Sequence, residues 1–124
     1  FREEERLDAT KLYKIQWTER VQTAGQISKL PDKFYPKLRR YVAKLKDEAA
    51  KAPEQMREYE KARHLTRDIV NSRLKKIVSL ASAPAQTEQI LKNFADEERV
   101  LYEQLYKLIH EWRTQILEYE GAEE

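Results

Sequence analysis

Apolar residues recur along this chain at spacings of three and four and almost never alternate, so the pattern predicts helices throughout. The first runs from about Asp8 to Gln22, with Asp8 or Thr10 as its N-cap. Leu12, Ile15 and Glu19 form one strip, and Tyr13, Trp17 and Val21 the neighbouring one. Gly25 interrupts the period, and Ser28 to Asp32 reads as a turn because the residue before Pro31 is pushed out of helical geometry. The chain is therefore expected to reverse between Gly25 and Pro31. A second helix, Asp32 to Ala52, is capped by Asp32 or begins slightly later, since Pro36 must sit in or near the first turn. Phe34, Leu38, Tyr41, Val42, Leu45 and Ala49 make its apolar stripe, leaving Arg39, Arg40, Lys44 and Lys46 outside.

Pro53 suits the first position of a third helix, and Glu54 adds negative charge at its positive end. This helix reaches about Ala81 with the stripe Tyr59, Ala62, Leu65, Thr66, Ile69, Arg73, Ile77 and Leu80. Ser82 to Ala85 breaks it, and Thr87 can cap a short helical turn carrying Ile90, Leu91 and Phe94. Asp96 is a fresh N-cap for the longest helix, which extends to about Tyr119 and carries the seam Leu101, Leu105, Leu108, Trp112 and Ile116. Gly121 is expected to end it, with Glu118, Glu120, Glu123 and Glu124 as an acidic tail. The predicted fold is all-α: four principal helices in a bundle plus a short helical turn. Short connections favour antiparallel neighbours. Residues 1–120 form the helical domain and 121–124 begin a linker.

Two charges stand on the apolar strips. Arg73 lies between Ile69 and Ile77, and Glu98 lies one turn before Leu101. One reading is a buried ion pair joining the third helix to the last. The other has both side chains snorkelling to the rim, with the Arg73 stem laid over Ile69 and Ile77. The aromatic residues exceed what one neighbouring helix can cover, because Tyr102 and Tyr106 widen the last helix's apolar face and Trp17 does the same for the first. A subunit interface of Tyr13, Trp17, Tyr102, Leu105, Tyr106, Leu108, Trp112 and Ile116 is the expectation.

Composition narrows the chemistry. With 124 residues the chain can bury a single core, and without cysteine it has neither disulfides nor a thiolate metal site, which favours an intracellular setting. No apolar run approaches the roughly 20 residues of a membrane span, and no signal segment opens the chain, so no membrane association is expected. The start at Phe1 suggests a fragment. Of the two histidines, His64 and His110, neither has a carboxylate or second histidine one turn onward that completes a metal cluster; Glu60 before His64 adds only a second ligand. No Glu-x-x-His, glycine-rich phosphate loop or nucleophile constellation is present. The chain reads as non-enzymatic and without cofactor. Lys+Arg 24 nearly cancels Asp+Glu 22, leaving net charge +2, so nucleic-acid contact needs a local patch. Arg39, Arg40 and Lys44 are the candidates, with a second cluster at Arg73, Lys75 and Lys76, although such charges are more often simply a solvated surface.

Taken in order, these segments resemble the helical A domain of GINS subunits. The resemblance lies in Leu12-Tyr13-Lys14-Ile15, Leu30-Pro31-Asp32-Lys33-Phe34-Tyr35, Tyr41-Val42-x-x-Leu45 and Arg73-Leu74-Lys75-Lys76-Ile77-Val78-x-Leu80-Ala81. It continues through Glu97-Glu98-Arg99-x-Leu101-Tyr102-x-x-Leu105 and Trp112-Arg113-x-x-Ile116-Leu117. It looks like the archaeal class related to the eukaryotic Sld and Psf subunits, in which the A domain precedes a small β-rich B domain; this chain stops before one. The resemblance implies a non-catalytic scaffold of DNA replication that assembles as a homo- or hetero-tetramer with other GINS subunits. It also implies a link between the MCM helicase and a RecJ-like or Cdc-type partner, with DNA nearby. Such a protein is expected in the cytoplasm at the nucleoid, or in a eukaryotic nucleus.

Overall fold

The computed structural model describes residues 6–22, 26–83 and 86–122, and among them there is no strand. Four long helices are α1 (Ala9–Val21), α2 (Phe34–Lys51), α3 (Met56–Ala81) and α5 (Asp96–Ala122). A 3₁₀ turn (Pro53–Gln55) precedes α3, and the short α4 (Glu88–Lys92) precedes α5. Asp8 caps α1, its Oδ1 accepting the Lys11 backbone N–H at 2.8 Å. Thr87 does the same for α4 through the Ile90 N–H. Asp32 does not cap α2. Lys33 stands at that boundary in the left-handed region, φ 53°, with no side-chain cap, and turns the chain so that Phe34 enters the core. Asp96 is the first helical residue of α5, not its cap, because the Glu98 carboxylate reaches back to the Ala95 N–H instead. Nor does Gly121 end α5, which continues to Ala122: one glycine costs a helix about 1 kcal/mol, too little to stop it. The readings placed on Gly25, Pro84, Ala85, Glu123 and Glu124 lie outside the described residues.

α3 is the hub, with α1, α2 and α5 each packed on it. Paired residues give the directions. Gln16 meets Asp68, Glu19 meets Arg73 and Gln22 meets Lys76, so α1 runs parallel to α3. Arg73 meets Glu98 and Ser82 meets Arg113, so α5 also runs parallel to it. Only α2 is antiparallel, with Tyr35 beside Arg73 and Tyr41 in the field of Glu58. The expectation of antiparallel neighbours holds for α1 with α2 and for α2 with α3, α2 itself returning the chain; α5 departs from it, because residues 82–95 carry the chain back along α3 to the level of Arg73 before α5 begins.

Two apolar clusters make up the core. One gathers Leu7, Leu12, Leu30, Phe34, Leu38, Leu65 and Ile69; the other gathers Ile27, Ile77, Leu80, Ala81, Phe94 and Tyr102. Ile69 belongs to the first and Ile77 to the second. Arg73, one turn from each, therefore stands at the joint between them.

Candidate functional site: a buried ionic joint and an open apolar face

Arg73 is fully buried and uses all five of its N–H donors. Nε donates to Glu98 Oε2 at 2.6 Å and Nη2 to Glu98 Oε1 at 2.7 Å, the fork-to-fork geometry of a strong pair. Nη1 donates to Glu19 Oε1 and to the Ser28 carbonyl, both at 2.7 Å, and Nη2 reaches the Asn93 carbonyl at 3.4 Å. Glu98 is equally saturated, accepting also from the Tyr35 hydroxyl at 2.7 Å and the Ala95 N–H at 2.9 Å. The other Glu19 oxygen accepts from Lys76 Nζ, which also donates to Gln22. Two cations and two anions thus cancel in a dry site. Asn93 Nδ2 closes the circle on the Ile27 carbonyl. Every principal helix contributes a member.

Burial alone raises a carboxyl pKa, but in Glu98 it is outweighed by the bonds and charge of Arg73, then by Tyr35 and the Ala95 N–H, leaving it below its ordinary value. Burial and the bond to Glu98 push the Tyr35 hydroxyl far up, so it remains a donor. Because the folded pKa of Glu98 is depressed, its stabilisation is complete above the unfolded value of about 4.3 and disappears as pH falls through the folded one. Urea midpoints should therefore hold from neutrality to about pH 5 and drop below about pH 4. A Glu98→Gln chain should lack that part of the drop, and identical acid profiles for the two proteins would contradict the assignment.

Arg73 and Glu98, the charges that interrupt apolar strips in the sequence, are two ends of one salt bridge. Sequence reasoning missed Glu19 and Lys76. Glu19 carried a signal, since it shares the Leu12 and Ile15 strip. Lys76 was placed in a basic surface cluster with Arg73 and Lys75; only Lys75 of the three is exposed. Asp68, a carboxylate the sequence reading overlooked, does lie one turn after His64, with Nε2 3.5 Å from Oδ2. That oxygen already takes Gln16 and Arg20, and no metal-holding group occurs among the described residues. His64, Gln16 and Arg20 line an open groove between α1 and α3 with Tyr13, Arg57, Glu60, Lys61 and Leu65.

The expected interface residues divide. Tyr102 is buried at 1%, in ring contact with Phe94 at 4.8 Å and Tyr106 at 5.9 Å, so it belongs to the protomer's own core and not to a free surface. The reason is the phase of α5: Glu98, Tyr102, Ile109 and Arg113 point toward the bundle, which rotates the leucine seam to one side. Leu101, Leu105, Tyr106 and Ile109 pack at the margin of the core. Leu108 and Trp112 are 63% and 60% exposed, with Ile116 and Leu117 open beyond them. Arg113 Nη2 donates to the Ser82 carbonyl at 2.6 Å, where α3 ends, so the rest of α5 projects past its neighbour. On α1, Tyr13, Trp17 and Val21 form a second exposed strip.

α3 extends the α5 seam. Val70, Leu74 and Val78 lie one turn apart and are exposed. Counting about 100° per residue, this row is offset from Arg73 and Ile77 in the opposite sense to the offset of Leu101, Leu105, Leu108 and Trp112 from Glu98 and Tyr102. In two parallel helices, opposite offsets fall on the same side of the pair. Both rows therefore line one face.

Residues 6–117 match the model of the GINS complex protein helical bundle domain. No curated protein and no solved structure matches the chain. A match over nearly its whole length, on a bundle of four long helices, places the chain in the GINS helical bundle family.

Proposed function

We propose that this chain is a non-catalytic assembly subunit of a GINS complex acting in DNA replication. The observation that carries the reading is the α3–α5 face. Val70, Leu74, Val78, Leu108 and Trp112 are exposed on two parallel helices, and apolar side chains gathered on one face in this way mark an interaction site. Such a face fits helices of sister subunits in a homo- or hetero-tetramer, with charged rims selecting partner and orientation. The chain reads as the archaeal class related to the eukaryotic Sld and Psf subunits. Within the replicative helicase, the assembled tetramer ties the MCM motor to a RecJ-like or Cdc-type protein, which puts it at the nucleoid or in a nucleus.

Size-exclusion chromatography with light scattering tests this directly, on the chain alone and mixed with candidate GINS subunits. A stable species of defined stoichiometry above the monomer is expected in at least one of these samples. A chain that stays monomeric at tens of micromolar in all of them overturns the reading.

A further inference from the structure

A second surface, on α2, is unrelated to the apolar face. Its cations do not fall where the sequence grouping put them. Arg39 and Lys44 are five residues apart, about 140° around the helix, and do not share a strip. Lys37, Arg40, Lys44 and Lys51 do: at about 100° per residue they lie within roughly 60° of one another, and Lys33 stands just before the helix at the start of the same row. Phe34, Leu38 and Ala49 hold the opposite side of α2 in the core. The stripe therefore faces solvent, with Lys33, Arg40, Lys44 and Lys51 exposed and Lys37 half-buried.

From Lys33 to Lys44 the cations follow at intervals of three and four residues, a rise of about 4.5–6 Å each. Among the described residues only Lys44 approaches a carboxylate, Glu48 at 4.0 Å. Asp47 and Glu48 interrupt the row before Lys51. A straight row of regularly spaced cations over a nearly neutral protein is suited to a polyanion with charges fixed at a short repeat. No exposed aromatic ring stands in the row, and Tyr41 beside it is half-buried, so it offers no base-stacking platform for a single strand.

We propose that the α2 stripe of Lys33, Lys37, Arg40 and Lys44 binds the phosphate backbone of duplex nucleic acid without reading its sequence. Four phosphate contacts correspond to a slope of about −3.6 in log affinity against log salt, or roughly a hundred-fold loss between 50 and 200 mM. This holds whatever oligomer the apolar face builds.

The test is anisotropy of a labelled 20-base-pair duplex titrated with the chain at both salt concentrations, beside the Arg40→Glu/Lys44→Glu and Lys107→Glu variants. Circular dichroism verifies their folding. Salt-steep binding that the α2 double variant loses and Lys107→Glu keeps supports the proposal, Lys107 being an exposed cation on α5. Absence of binding at 50 mM salt overturns it, as does binding indifferent to the α2 reversal. Capture of polyglutamate without capture of the duplex also overturns it and reassigns the stripe to an acidic protein segment.

Discussion

Replacing Glu98 by alanine is expected to lower the unfolding free energy by about 3–5 kcal/mol, among the largest effects of any single substitution in this chain. The loss comes less from the missing bonds than from what stays behind. Arg73 remains charged and buried with its Nε and one Nη2 donor unmatched, and the Tyr35 hydroxyl and Ala95 N–H lose their acceptor. With a urea m-value of about 1–3 kcal/mol/M, the midpoint should fall by about 1 M or more. A change below about 1 kcal/mol would mean that water reaches the guanidinium and the cluster is not the dry joint described above. Removing Glu19, Arg73, Lys76 and Glu98 together for apolar residues of similar volume should cost far less than the single change, because no charge is stranded. The cluster is thus better understood as fixing which helices meet, and in which register, than as a net source of stability.

The second large effect is expected at the apolar face. Leu108→Asp combined with Trp112→Asp should return any assembly to monomer while leaving the helical circular dichroism and the urea midpoint nearly unchanged, because both side chains are more than half exposed in the protomer. Central aromatic residues of an interface commonly contribute 2 kcal/mol or more, and a buried aspartate adds a desolvation cost, so affinity should fall by at least about a thousand-fold. Light scattering and denaturation on the same sample separate the outcomes. Unfolding would place these residues in a core, and an intact oligomer would move the interface elsewhere.

Helix positions were legible in the sequence to within a few residues because period and punctuation agree: Asp8 and Thr87 at starts, Pro53 at a restart. The boundary at Lys33 was not, since an uncapped lysine in the left-handed region has no sequence signature and is held there by the burial of Phe34. Arg73 and Glu98 stood out as charges on apolar strips. Glu19 was passed over because α1 is short and its strips are broad. Lys76 was hidden because its neighbours Arg73 and Lys75 made it look like one of a surface group. Tyr102 turns inward for a geometric reason: seam and core face of α5 lie about 80° apart, and the contacts of Glu98, Phe94 and Arg113 with the bundle set which residues face it. The parallel setting of α1 and α3 follows from two antiparallel connections, whereas that of α5 on α3 could not be read, because residues 82–95, which return the chain, carry no direction signal.

The partners of Arg73 come from residues as distant along the chain as Glu19 and Glu98, which bears on the order in which the molecule forms. The α2–α3 hairpin can zip locally, but its guanidinium must stay hydrated until both the N-terminal and the C-terminal helix arrive, since drying it earlier would leave five donors bare. Closure of the joint is therefore a late event in folding, and a nascent chain keeps its middle soft until α5 has been made.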